Sequence, residues 1–236
     1  MKKIGLVGGI SWTSTLDYYR YFNEGINTQL GKLNFAECII YSINFGEYSK
    51  HNAKYDWDGA FQMLFGAAKN LKAAGADCIL LGANTAHIVA DRLAASIDLP
   101  VLQVTTAVSE AIHKKGLTKV GLLGTIYTME LDFYKDKLRE NDIEPIIPET
   151  KEERVWIEDV LRDELSKGIL NPDTKKGFLE MIDRLIKRGA EGIILGCTEI
   201  PLIIKEEDVP VPAFDTTKIH AMAAVEFALK GAEVNA

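Results

Sequence analysis

Short apolar runs and longer amphipathic segments alternate along almost the whole chain. The apolar runs have the length and the Val, Ile and Leu content of buried strands, and they are Ile4–Val7, Cys38–Phe45, Cys78–Leu81, Val101–Val104, Val120–Leu123, Ile193–Leu195 and Val211–Phe214. The segments with helical period are Ser14–Leu30, Trp57–Ala74, Ala86–Ser96, Thr106–Lys115, Met129–Asn141, Glu152–Gly168, Thr174–Arg188 and Lys218–Lys230. This alternation predicts an α/β fold in which helices cover both faces of parallel sheets.

The second half of the sequence repeats the first. Residues 75–84 match residues 189–198 at a constant offset of 114. Three further matches keep the same order at offsets of 116, 115 and 110, and they pair residues 3–8 with 119–124, 16–19 with 131–134, and 98–101 with 208–211. Four ordered matches indicate a duplication. We therefore predict two similar parallel-sheet, Rossmann-like lobes related by pseudo-twofold symmetry, residues 1–115 and 116–236, with the C-terminal helix 218–236 free to pack back onto the first lobe.

Parallel sheets bind ligands at the carboxyl ends of their strands, so the loops after the predicted strands are the candidate sites. The repeat pairs Ala83 with Cys197, and a pseudo-twofold arrangement would make these two residues face one cleft. Cys197 follows a buried strand at the start of the next helix, where backbone N–H groups and the helix dipole lower a thiol pKa. The alternative is an inert buried thiol. For Cys38 and Cys78, which lie inside apolar strands, we expect a core role.

Small neutral donors also follow the strands, namely Asn84, Thr85, Thr125 and Thr198. Such groups suit an α-carboxylate or an α-amino group, although each is also a common helix N-cap. His87 and His220 are candidates for acid–base chemistry or for packing, because both lie just inside predicted helices. Glu199 either orients the neighbouring thiol or faces solvent.

Composition narrows the range of partners. The 236 residues are 47% hydrophobic and 26% charged, with a formal net charge of -7 and no run of Lys or Arg. Nucleic-acid and membrane partners are therefore not expected, whereas a small soluble ligand is. Three widely separated cysteines favour reduced thiols and a cytoplasmic location. No metal-ligand spacing occurs, and Gly5, Gly8 and Gly9 do not fit the dinucleotide motif, so we expect no metal and no cofactor.

Five ordered segments resemble the aspartate/glutamate racemase family over essentially the whole chain. They are Gly8-Gly9-Ile10-Ser11-Trp12 with Ser14-Thr15, Asn84-Thr85-Ala86-His87, Gly124-Thr125 with Tyr127-Thr128-Met129, Gly196-Cys197-Thr198-Glu199-Ile200, and Phe214-Asp215-Thr216 with Ile219-His220. The resemblance implies two α/β lobes, no pyridoxal phosphate, no metal and an acidic amino acid as substrate. Glu199-Ile200 is similar to the aspartate-type branch. The resemblance also implies substrate contacts at Ile10 and Asn52, which join Asn84, Thr85, Thr125, Thr198 and Glu199 as the candidate substrate-binding residues.

Members of this family racemise with two thiols, one on each face of the Cα atom, and here the first thiol position is Ala83. A methyl group exchanges no proton, so symmetrical two-thiol racemisation is excluded. Three interpretations stay open: an isomerase of weak or one-sided activity, a single-cysteine decarboxylase or isomerase of the same superfamily, and a non-catalytic protein that binds an acidic amino acid. The resemblance, together with the aromatic-rich segment Leu16–Phe22, also favours a homodimer.

Overall fold

The computed structural model describes residues 1–230. The first 102 residues form β1 (Ile4–Gly8), α1 (Trp12–Leu30), β2 (Cys38–Ser42), α2 (Phe45–Ala53), α3 (Trp57–Ala73), β3 (Cys78–Leu81), a 3₁₀ helix (Thr85–Val89), α4 (Ala90–Ser96) and β4 (Val101–Leu102). The next segment forms α5 (Val104–Lys114), β5 (Lys119–Gly124), α6 (Ile126–Glu130), α7 (Asp132–Arg139), β6 (Glu144–Ile146), α8 (Lys151–Asp163), a 3₁₀ helix (Leu165–Lys167) and α9 (Pro172–Lys187). The last elements are β7 (Gly192–Gly196), α10 (Ile200–Ile203), a 3₁₀ helix (Glu206–Asp208), β8 (Ala213–Asp215) and α11 (Thr216–Leu229).

The described strands form two four-stranded parallel sheets with the same topology. Their orders are β2-β1-β3-β4 and β6-β5-β7-β8. Each sheet therefore has its two central strands, β1 and β3 or β5 and β7, paired side by side. The predicted α/β class with two similar lobes is confirmed.

The chain folds into two compact units, and the helix that follows the last strand of each sheet belongs to the other unit. The first unit comprises Met1–Val104 and the chain from Thr217 onwards, and the second comprises Thr105–Thr216. Helix α5 follows a strand of the first sheet but belongs to the second unit, whereas α11 belongs to the first. This division differs from lobes 1–115 and 116–236 by those two helices. Of the predicted C-terminal helix 218–236, residues 231–236 lie outside the described part.

Strand residues of the first sheet alternate between two hydrophobic clusters, one on each face, because successive side chains of a strand point in opposite directions. One face carries Val7, Ile79 and Leu81, which pack with α2, α3 and α4. The other face carries Ile4, Leu6, Cys78 and Leu80, which pack with α1 and α11. On α11, Ala221, Ala224, Val225 and Ala228 supply small side chains that let this helix lie close to the sheet. The second sheet has its own cluster around Leu123, Ile193 and Phe178.

Strand β6 and helix α2 are among the elements that the sequence-based prediction does not contain. Strand β6 is a three-residue edge strand of sequence Glu-Pro-Ile, in which Pro145 has no N–H to donate and Glu144 is exposed. Helix α2 begins within the predicted strand Cys38–Phe45, because Asn44 caps it by accepting a hydrogen bond from Gly46 N at 2.9 Å. None of the helices within residues 1–230 combines the length and the apolar composition needed to cross a membrane.

Candidate active site

The thiol predicted as the catalytic group lies next to a buried carboxylate. Cys197 and Thr198 directly follow β7, and both side chains are half-buried. The thiol of Cys197 donates a hydrogen bond of 2.9 Å to Oε2 of Glu199, and the hydroxyl of Thr198 donates one of 2.8 Å to the same oxygen. Glu199 itself is only 8% exposed. Of its two predicted orientations, toward the thiol or toward solvent, the structure has the first.

The pKa of Cys197 is shifted in the direction opposite to our prediction. Burial raises it well above its usual value, and the nearby carboxylate of Glu199 raises it further. Helix α10 has only four residues and begins three positions after the thiol, so its dipole is small compared with these two effects. The expectation of a lowered pKa is therefore wrong, and the resting thiol is protonated at neutral pH.

Close packing of two glycines brings the two strand-end loops of the second unit together. Gly124 and Gly196 are paired in register at the ends of β5 and β7. A Cβ atom on Gly124 would lie 2.8 Å from the carbonyl oxygen of Gly196, and one on Gly196 would lie 2.7 Å from the carbonyl oxygen of Leu123. Only glycine fits at either position. Because β5 and β7 are adjacent and parallel, Thr125 and Cys197, which directly follow them, lie at the same edge of the sheet.

Thr125 and Glu158 complete this edge. The half-buried Thr125 caps α6 by accepting a hydrogen bond from Thr128 N at 3.3 Å, so the predicted ligand group also serves as a helix cap. Glu158, on α8, accepts a hydrogen bond from Ile126 N at 2.9 Å, and its charge also raises the pKa of Cys197. The sequence-based list of site residues omits Glu158. Nothing in the sequence distinguishes it from the other acids of α8, since its position depends on how that helix packs.

The corresponding loop of the first unit contains no acid. Ala83 follows β3 and is half-buried, while Asn84 and Thr85 are 6% and 8% exposed at the start of the 3₁₀ helix. At the repeat offset of 114, Ala83 and Thr85 correspond to Cys197 and Glu199. Thus the thiol and the carboxylate of one loop are replaced by a methyl and a hydroxyl in the other. The two loops belong to different units, and the single cleft expected from the repeat stays a prediction.

Two further predicted residues lie in the first unit. Ile10 is 7% exposed and follows Gly9, whose φ of +83° few residues other than glycine adopt. Asn52 lies on α2 and is 9% exposed; within residues 1–230, its Oδ1 has no hydrogen-bond partner. An unpaired buried amide oxygen is costly, which is consistent with a polar ligand group at this position.

The other candidate groups have structural surroundings. Cys78 is fully buried and Cys38 is half-buried, and burial raises the pKa of both thiols, that of Cys78 to about 11. His87 and His220 are 6% and 0% exposed and are hydrogen-bonded to backbone groups. Over residues 1–230, no group of three or more His, Cys, Asp or Glu side chains is close enough together to hold a metal ion.

Solved structures similar to this one span nearly the whole chain. A candidate Asp/Glu racemase from Yersinia pestis is 43% identical with a TM-score of 0.91, and the match covers 97% of this chain and 100% of that one. An aspartate racemase homologue from Pyrococcus horikoshii OT3 is 40% identical with a TM-score of 0.86, covering 97% and 99% of the two chains.

A curated glutamate racemase is a more distant relative than these two solved structures. The glutamate racemase of Aquifex pyrophilus is 31% identical over 144 residues, which are 58% of this chain and 51% of that protein. The chain thus matches about half the length of that relative. The family model for Asp/Glu/Hydantoin racemase, in contrast, matches residues 7–224, a range that includes every predicted site residue. The chain therefore belongs to the Asp/Glu/Hydantoin racemase family.

Proposed function

We propose that this protein is a cofactor-independent amino-acid isomerase that exchanges the Cα proton of aspartate or glutamate through Cys197, with activity restricted largely to one face. The observation that carries the proposal is the hydrogen bond from the Cys197 thiol to Glu199. A thiol paired with a buried carboxylate is a proton-transfer unit, since the carboxylate can take the thiol proton when the thiolate is needed.

The proposed steps conserve protons. Glu199 accepts the Sγ proton of Cys197, and the resulting thiolate removes the Cα proton of the substrate, so that a planar carbanion is left. The thiol then returns a proton to Cα, and Glu199 returns its own proton to the sulfur. Glu199 thereby acts as the base that overcomes the raised pKa of the thiol. It replaces the helix dipole that the sequence had suggested for this role.

Restriction to one face follows from the loop that contains Ala83. Racemisation needs a proton donor on the side of the carbanion opposite the thiol. Neither Ala83 nor Thr85 offers an acid of suitable pKa. Inversion would then depend on water, and the absence of a positioned acid typically costs about 10²- to 10⁴-fold in rate.

Neutral polar groups are proposed to bind the substrate. Asn84, Thr85, Thr125 and Thr198 would meet its α-carboxylate and α-amino groups, Ile10 would provide an apolar wall, and Asn52 would bind a carboxylate. The names of the relatives support an acidic amino acid: one is an aspartate racemase homologue and another a glutamate racemase.

Proton exchange in D₂O tests this function directly. Each enantiomer of aspartate and glutamate is incubated with the protein, and loss of the Cα proton is followed by NMR while chirality is measured separately. We expect one enantiomer to lose its Cα proton faster than it inverts and the other to be nearly inert. Equal, rapid racemisation of both enantiomers would mean that a second residue, with Thr85 the first to test, acts as a base.

The protonated state of Cys197 also favours a second candidate. A resting thiol with a raised pKa is suited to deliver a proton to a planar intermediate, as a single-cysteine decarboxylase does. Release of carbon dioxide from substituted malonic acids, with a single enantiomer as product, would identify this activity. Binding of an acidic amino acid with neither exchange nor decarboxylation would identify a non-catalytic binding protein.

We also propose a homodimer that uses the outer face of α1. Trp12, Leu16 and Tyr19 recur at helical spacing on this face and are 68%, 58% and 50% exposed. Large exposed apolar side chains on one face are typical of protein interfaces. Tyr18 and Phe22 of the segment Leu16–Phe22 are instead buried in the core. The cytoplasmic location expected from the cysteine content stays a prediction.

A further inference from the structure

His87 is held in a single neutral tautomer by two backbone groups. Its Nε2 accepts a hydrogen bond of 3.1 Å from Val104 N, and its Nδ1 lies 2.9 Å from the carbonyl oxygen of Ala83. An amide N–H can only donate and a carbonyl oxygen can only accept. The proton is therefore on Nδ1, which donates to Ala83, and Nε2 carries none.

His220 is fixed in the opposite tautomer. Its Nε2 lies 2.7 Å from the carbonyl oxygen of Leu102, so this nitrogen carries the proton and donates. Its Nδ1 then accepts from the hydroxyl of Tyr18 at 2.8 Å. The ring of His220 is fully buried and packs edge-on against that of His87 at 5.5 Å between centroids. Both rings thus have a partner on each nitrogen.

The histidine pair connects the loop after β3 to the two segments where the chain leaves the first unit and returns to it. Leu102 and Val104 are the last residues of the first unit before the chain passes to the second, and His220 lies shortly after its return at Thr217. Through His87, the same network reaches Ala83. The position of the loop after β3 is therefore tied to the segments that lead out of and back into the unit.

The second unit lacks this network. At the repeat offset of 114, Pro201 stands at the position of His87. The Thr-Thr pairs at 105–106 and 216–217 give a local offset of 111, which places Ser109 at the position of His220. The buried hydroxyl of Ser109 has no hydrogen-bond partner within residues 1–230. At the offset of 115 that pairs residues 16–19 with 131–134, Tyr18 corresponds to Phe133, which has no hydroxyl to donate. The fold therefore forms without a histidine pair, and its presence in the first unit requires a specific reason.

We propose that His87, supported by His220 and Tyr18, is a positioning residue that sets the backbone orientation of the loop at residues 83–84. In a trans peptide the C=O and N–H groups point in opposite directions. Holding the carbonyl of Ala83 thus also sets the direction of the Asn84 N–H. The side chain of residue 83 is only a methyl group. This loop would therefore contact a ligand through its backbone groups and through the side chains of Asn84 and Thr85. The inference deepens the proposed function, but its tests require no turnover.

The charge state of the pair is consistent with this role. Burial lowers the pKa of His87 to about 4 and that of His220 to about 3. The other titratable groups that act on the pair are Asp91, which opposes the shift of His87, and Tyr18, which donates to His220. Protonation of His87 would place two donors, Nε2–H and Val104 N–H, against each other, so the neutral form is required for the network.

NMR of the imidazole nitrogens in the full-length protein tests the network without any mutation. The sequence has four histidines, and the exposed His113 supplies a reference signal. At neutral pH we expect His87 as the Nδ1–H tautomer and His220 as the Nε2–H tautomer. A His87 that carries its proton on Nε2, or that averages between tautomers, would overturn the proposal whether or not the protein exchanges amino-acid protons.

A thiol at position 83 then reports on the loop itself. In an Ala83→Cys, Cys197→Ala background, His87→Asn keeps an amide N–H near the place of Nδ1, whereas His87→Gln can reach the place of Nε2 but leaves the Ala83 carbonyl unpaired. We expect the alkylation rate of Cys at position 83 to be unchanged by the first variant and altered by about tenfold, the equivalent of one lost hydrogen bond, by the second. Ser109→Ala is the control in the other unit.

These outcomes distinguish a His87 that positions the loop from a His87 that only fills the core. If both His87 variants change the alkylation rate in proportion to their loss of thermal stability, His87 only fills the core and the proposal fails. If either variant does not fold, Tyr18→Phe gives the decision. Loss of that hydroxyl should leave the fold intact while it frees Nδ1 of His220, and the tautomer signals of both histidines should shift. An unchanged His87 signal would contradict the support assigned to His220 and Tyr18.

Discussion

Sγ of Cys197 lies 2.9 Å from Oε2 of Glu199, two residues further along the chain. The same carboxylate oxygen also accepts the hydroxyl of Thr198. The buried carboxylate therefore stabilises the protonated thiol and is at the same time the nearest group that can take its proton. A proton removed from a substrate by Cys197 must be preceded by transfer of the thiol proton to Glu199.

Glu199→Gln should separate the acidity of the thiol from its catalysis. Since the carboxylate raises the pKa of Cys197, the amide should lower it, and alkylation of Cys197 should reach its plateau at a lower pH. Cα exchange should nevertheless fall by about 10²- to 10⁴-fold, because the base is gone. Rates of iodoacetamide labelling with peptide mapping, and D₂O exchange, measure the two effects. The exposed Glu207→Gln is the control, and exchange retained at full rate would remove Glu199 from the mechanism.

Ala83→Cys should restore inversion in both directions. The new thiol would supply the missing acid at the position that the repeat pairs with Cys197. The double variant Ala83→Cys, Cys197→Ala should exchange the Cα proton of the opposite enantiomer to the wild type, since its only thiol is then at the other position. NMR exchange in D₂O with chiral analysis distinguishes these cases. A double variant with the same enantiomer preference as the wild type would refute the assignment of the two positions.

Gly124→Ala should destabilise the protein and disturb the loop after β7 that contains Cys197. The added methyl would lie 2.8 Å from the carbonyl oxygen of Gly196, which belongs to a paired strand and cannot move freely. We expect a loss of about 1–3 kcal/mol in the free energy of unfolding. Gly66→Ala is the matched control, because a Cβ atom there meets nothing within 4 Å and alanine favours the interior of α3. Equal stability of the two variants in urea titrations would contradict the tight packing at β5 and β7.

Stability should decrease as the pH falls from 6.5 toward 4. The folded-state pKa of His87 is lowered from 6.5 to about 4 by burial, so below pH 6.5 the unfolded chain binds a proton that the folded chain does not. The contribution of the neutral ring is thus complete above pH 6.5 and is lost on acidification, by about 1.4 kcal/mol per pH unit for each such histidine. Asp91 and the ring of His220 act on or face His87, and Tyr18 in turn is hydrogen-bonded to His220.

Urea unfolding between pH 7 and pH 5 measures this slope. His220→Asn should reduce it, since one buried titrating ring is removed, while replacement of the exposed His113 by Gln should leave it unchanged. A flat profile for the wild type over this range would show that the buried histidines are not held neutral.

Charged substitutions on α1 should separate the proposed dimer. Trp12→Lys with Leu16→Lys places two charges on the exposed face and leaves the buried Tyr18 and Phe22 in place. Light scattering after size exclusion should give the mass of one chain for this variant and of two for the wild type. The same change at two other exposed apolar positions, Val155→Lys with Ile169→Lys, should not change the mass. A monomeric wild type would exclude the dimer.

The sequence by itself determined the α/β class, the two similar sheets and the family. These properties are written in local patterns and in their repetition, because the periodicity of apolar residues selects strand or helix within a few residues. The pairing of Ala83 with Cys197 also follows from the repeat alone. The three-residue strand β6 has no such signal, since Glu144 and Pro145 interrupt its apolar pattern and its pairing with β5 is what makes it a strand.

Only the tertiary structure decided the chemistry around these positions. The sign of the Cys197 pKa shift depends on burial and on where the Glu199 side chain points, whereas the sequence showed only the start of a helix, which proved to be four residues long. Likewise, Tyr18 and His220 are 202 residues apart and meet because α11 returns to the first unit. Hydrogen bonds act over about 3 Å in space, and no local pattern in a sequence records which distant groups come within that range.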